Sequence, residues 1–106
     1  MIDERTIAEA VERLFAAAPV GSQIILFGSY ARGDARDDSD LDFLVIEPQL
    51  SNRHQEMVRL RQILRPMGIP VDVLVISRQG FEGWKNFPSN VVFEAVREGK
   101  IFTHAA

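Results

Sequence analysis

The polar stretch from Gly28 to Asp42, GSYARGDARDDSDLD, constrains this chain most, because it lies between two short apolar runs. Gln23 to Phe27 (QIILF) is closed by glycine, and Leu41 to Ile46 (LDFLVI) follows the carboxylates. Both runs are the length of a strand rather than a helix, and both are rich in branched apolar residues. The pattern predicts two buried strands whose ends carry the polar chemistry.

Asp40 and Asp42 are the sharpest pair. Positions i and i+2 at the start of a strand face the same side, roughly 7 Å apart at Cα. Two carboxylates so close repel, and Asp42 opens an otherwise apolar strand. A hard divalent cation suits them: Mg²⁺ takes one or two carboxylates, keeps several waters and borrows phosphate oxygens from substrate. Gly28-Ser29 supplies the phosphate side, with backbone N–H groups and a hydroxyl at a strand end. Either feature alone is weak, since a lone D-x-D is more often a solvated loop or turn. Together, on adjacent strand ends, they carry weight.

The order Gly-Ser, ten residues, Asp-x-Asp, apolar strand resembles the nucleotidyltransferase signature of the DNA polymerase beta-like superfamily. The full string GSYARGDARDDSDLDFLVI is most similar to the minimal nucleotidyltransferases of bacteria and archaea, and the similarity runs from Ile24 to about Thr103. The superfamily needs a third carboxylate on a later strand. Asp72 is the candidate, the one charge inside Ile69–Ile76 (IPVDVLVI). By itself it reads equally as a strand-edge residue facing water. By alternation it shares a face with Leu74 and Ile76, as Asp42 does with Leu44 and Ile46.

At 106 residues the chain is sized for one domain, spanning 1–106, with a modest core. Twelve basic and fifteen acidic residues leave a net charge of −3, which argues against broad nucleic-acid binding. With no cysteine there is no disulfide or thiol chemistry. The start, MIDERTIAEA, lacks an apolar signal region, and no apolar run is long enough to span a bilayer. The expected location is cytoplasmic.

The remaining segments supply structure. Residues 4–18 fit an amphipathic helix with Ile7, Val11, Leu14 and Phe15 inward, a Thr6–Glu9 capping box, and Pro19 as its stop. Arg32 and Arg36 follow the first strand; Arg32 is a candidate for nucleotide phosphate, with neutralisation of the loop carboxylates as the plainer role. Ser39 either caps the turn or binds phosphate. Ser51 or Asn52 caps a second helix to about Arg65, whose arginines suit a solvated face better than a partner surface. Phe81, Trp84 and Phe87 are expected to pack, and their role is otherwise open. A last helix with Val92, Phe93 and Val96 inward ends at Gly99, before a short strand. The resulting fold class is α+β, a small mixed sheet with helices mainly on one face, as in the polymerase beta-like nucleotidyltransferases.

The resemblance implies a nucleoside triphosphate, with ATP the default, and two Mg²⁺ ions. Asp40, Asp42 and Asp72 are the implied metal ligands and catalytic carboxylates; Gly28, Ser29, Arg32 and Ser39 are the implied nucleotide contacts. It also implies a partner. The catalytic core uses the available length, so a hydroxyl acceptor is expected on another protein or on a second copy of this chain. In the minimal family that partner is often a helical HEPN-type toxin, and the nucleotidyltransferase is its antitoxin. Alternatives are a binding module acting by contact alone, or transfer to a small molecule.

Overall fold

The computed structural model describes residues 1–104. A four-stranded mixed sheet runs through it in the order β3-β2-β1-β4, where β1 is Gln23–Phe27, β2 Leu41–Glu47, β3 Val71–Ser77 and β4 Lys100–Thr103. β1 pairs antiparallel with β2 and with β4, whereas β2 and β3 are parallel. That parallel pair needs a crossover, supplied by α3 (Arg53–Leu64) and a 3₁₀ turn at Arg65–Met67. The helices before and after are α1 (Glu4–Ala17), α2 (Ser29–Arg32), α4 (Arg78–Trp84) and α5 (Val91–Glu98).

Strand alternation divides the apolar residues between two cores. Ile24, Leu26, Phe43, Val45, Val73 and Val75 face α1 and α3, which add Ala10, Val11, Leu14, Leu60 and Leu64. Ile25, Leu44 and Ile46 face the other way, against Phe81 of α4 and Val92 and Ala95 of α5. The two longer helices therefore share one face, as expected, and the two short ones close the other over a smaller core. Asp42 and Asp72 have the parity of this second face.

Several local expectations are corrected. Asp3, not Thr6, caps α1: its Oδ1 accepts from the Thr6 N–H at 2.8 Å. Val96 points outward, and Ala95 takes the buried position in α5. Of the three aromatics only Phe81 packs; Trp84 and Phe87 are 56% and 60% exposed and meet edge to face. Asn52 caps α3 and Asn90 caps α5.

At the far end of β2, Glu47 is only 2% exposed, and its Oε2 has no partner while the group is ionised. Burial, then the neighbouring Glu56, pushes its pKa up to about 8. Glu56 is held well below the usual range, first by Arg59, which grips both its oxygens at 2.8 Å. Glu47 is thus a neutral donor to an ionised Glu56 near pH 7. A carboxyl whose folded pKa is raised stabilises the fold fully below its unfolded value of 4.5, and that contribution is lost as pH rises through about 8. Glu47→Gln keeps a neutral donor at every pH. Thermal melts should show the variant gaining on the wild type between pH 6 and pH 9; a difference independent of pH would contradict this assignment.

Candidate active site

β1 ends where the chain must turn sharply. Phe27 lies opposite Asp42 in the antiparallel register, and the next residue, Gly28, adopts φ +77° and ψ −157°. Only glycine enters that region readily. A Cβ on Gly28 would run into the Asp42 carboxylate, so the turn backbone is pressed directly against that side chain. Ser29 then opens the short α2, which Gly33 ends at φ +90°. Ser39 Oγ accepts from the Arg36 N–H at 2.8 Å, so its hydroxyl caps the turn before the carboxylates.

The parallel pairing of β2 and β3 sets Asp42 beside Asp72 in direct register, on strands separated by roughly 5 Å. Asp40 stands one residue before β2 and is exposed. Asp42 is half-buried, and its pKa is raised, first by burial and then by the Asp72 and Asp40 charges, with Arg32 partly offsetting them. An open cleft of about 790 Å³ joins the predicted residues: Gly28, Ser29, Arg32, Ser39, Asp40 and Asp42 all line it. Asp72 is not among its lining residues; Oδ1 pairs with Arg61 Nη2 of α3 at 2.6 Å.

One residue of the cleft carries no signal in the sequence motif. Glu98, at the end of α5, accepts from the Gly28 N–H at 3.2 Å and from Arg32 Nη1 at 3.1 Å, both on Oε1. Arg32 also reaches Asp34 at 3.4 Å. A lone glutamate near the end of a helix reads as a solvated charge, and only the packing of α5 on the sheet brings it to a turn seventy positions earlier.

The donors are all hard oxygens, and the crowding around Asp42 is of the kind that a cation relieves. Among the described residues no three His, Cys, Asp or Glu side chains gather closely enough to hold an ion alone. Mg²⁺ fits such a site, since it takes one or two carboxylates and completes its shell with water and phosphate oxygens.

Comparison with known proteins identifies the family. The family model for the Nucleotidyltransferase domain matches residues 4–99. The chain belongs to the nucleotidyltransferase domain family. A candidate nucleotidyltransferase from Sulfolobus solfataricus, known from its crystal structure, is similar at 28% identity with a TM-score of 0.57, over 73% of this chain and 68% of that one. A chain from a toxin-antitoxin crystal structure with AMP-PNP has a TM-score of 0.62 over 88% of this chain and 69% of that one; at 20% identity it shares the fold. None of the curated proteins compared matches this nucleotidyltransferase domain.

The Gly28–Asp42 contact makes a direct prediction. Gly28→Ala adds a methyl where Asp42 sits and forces a conformation that costs about 1–3 kcal/mol for other residues. Its midpoint in urea should fall, and its NMR shifts should move at Asp42 and Phe43. A variant with wild-type stability and shifts at those positions would refute the contact.

Proposed function

We propose that this chain is a Mg²⁺-dependent nucleotidyltransferase that moves AMP from ATP to a hydroxyl of a partner protein, as the antitoxin of a helical HEPN-type toxin. The single observation that carries the catalytic part is the register of Asp42 beside Asp72, with Asp40 and the Gly28-Ser29 turn on the same side. The partner rests on two supports: the sequence resemblance and the shared fold with a chain of the toxin-antitoxin structure.

In this reading Ser29 and the turn amides hold the triphosphate, and Arg32 meets its charge with a planar fork of donors. Mg²⁺ held by Asp40 and Asp42, and a second ion shared with Asp72, would screen the triphosphate and stabilise the leaving pyrophosphate. The acceptor oxygen bonds to the α-phosphorus, the α–β phosphoanhydride breaks, and pyrophosphate departs. Asp72 receives the acceptor's proton once Arg61 releases its carboxylate. Most of the rate gain is positioning and electrostatics. Contact-only neutralisation is the second reading, and the exposed Trp84–Phe87 pair favours it by offering an apolar surface.

Transfer of label from α-labelled ATP to co-purifying protein tests the proposal. Label should appear with Mg²⁺ and vanish in Asp42→Asn, while that variant melts no lower than the wild type because a crowded charge has gone. A tight, unlabelled complex that Asp42→Asn still neutralises would establish the contact-only reading.

A further inference from the structure

We propose that Glu98 is a positioning residue of the nucleotide cleft, holding the Gly28 turn and the Arg32 guanidinium in the arrangement that receives the triphosphate. The inference rests on the nucleotidyltransferase reading above and goes beyond its carboxylate and Gly-Ser residues.

Three observations converge. Oε1 of Glu98 serves two donors at once, the Gly28 N–H at 3.2 Å and Arg32 Nη1 at 3.1 Å. Gly28 is itself pressed on Asp42, so the Glu98 carboxylate of α5 and the metal-binding candidate both bear on this one turn residue. The Glu98 contact is also built in. Gly99 follows immediately, and a Cβ there would meet the Ala95 carbonyl, the Ile25 side chain and, at 2.9 Å, the Leu26 carbonyl. The last turn of α5 is therefore seated on β1 as closely as backbone allows, and Glu98 keeps only 16% of its side-chain surface. Arg32 is half-exposed, with a second carboxylate, Asp34, within reach on the solvent side. Without Glu98, the Gly28 N–H loses its partner and Arg32 is left held by Asp34 alone.

A positioning role depends on a correctly placed acceptor oxygen, not on negative charge. Gln offers that oxygen at the same reach; Asp keeps the charge but retracts it by one methylene. Binding of α,β-methylene-ATP with Mg²⁺ should therefore weaken about tenfold in Glu98→Ala and in Glu98→Asp, the scale of one lost hydrogen bond, while Glu98→Gln stays within about twofold of wild type. If Glu98→Ala does not fold, Glu98→Asp and Glu98→Gln decide. Two results would overturn the proposal: tighter or unchanged binding in Glu98→Asp and Glu98→Ala, or a loss in Glu98→Gln as large as in Glu98→Asp. A wild type that binds no nucleotide would overturn the proposed function and this role with it, whereas nucleotide binding indifferent to Glu98 would remove only the role.

Discussion

Asp42 is held against the Gly28 backbone by the antiparallel pairing of β1 with β2, and the other parts of the cleft take their places from that contact. The pairing fixes the turn. The parallel partner β3 fixes Asp72 at the neighbouring register position, and α5 brings Glu98 to the Gly28 N–H. Each of the three comes from a different part of the chain: Asp72 lies one strand spacing from Asp42, and Glu98 one hydrogen bond from Gly28. Shifting β2 by one position would send Asp42 to the opposite face and replace it with an apolar side chain.

The sheet explains why such a crowded site is tolerated. The larger core, under α1 and α3, carries the long helices and the fully buried Phe43. The smaller core, under α4 and α5, opens at its end into the carboxylate cleft. Local repulsion at Asp42 is offset by apolar burial elsewhere, a common division between functional and structural regions. Glu47 solves the same problem differently at the other end of β2, by staying protonated beside Glu56. One strand thus holds two out-of-place carboxyls, one open to a cation and one sealed from water.

What the sequence revealed followed from range. Asp40, Asp42 and the Gly28-Ser29 turn were legible because their geometry is local: alternation sets a shared face, and glycine marks the turn. Asp72 was legible as the sole charge in an apolar run, but its pairing with Arg61 depends on how α3 lies over β3. Glu98 was invisible, since its role exists only after α5 docks. Short-range detail failed where two residues compete for one job, as Asp3 did with Thr6 at the cap and Ala95 with Val96 in the core. Spacing alone also could not tell that Phe81 turns inward while Trp84 and Phe87 stay in water.

The most direct measurement of the central claim is amide NMR of the chain titrated with Mn²⁺ in the presence of α,β-methylene-ATP. Paramagnetic broadening should begin at Gly28, Ser29 and Asp40 to Phe43, and should reach Asp72 through its neighbour Asp42. Broadening confined to the exposed carboxylates at Asp34, Asp37 and Asp38, or to the Glu47 end of β2, would contradict a metal and nucleotide site at these strand ends.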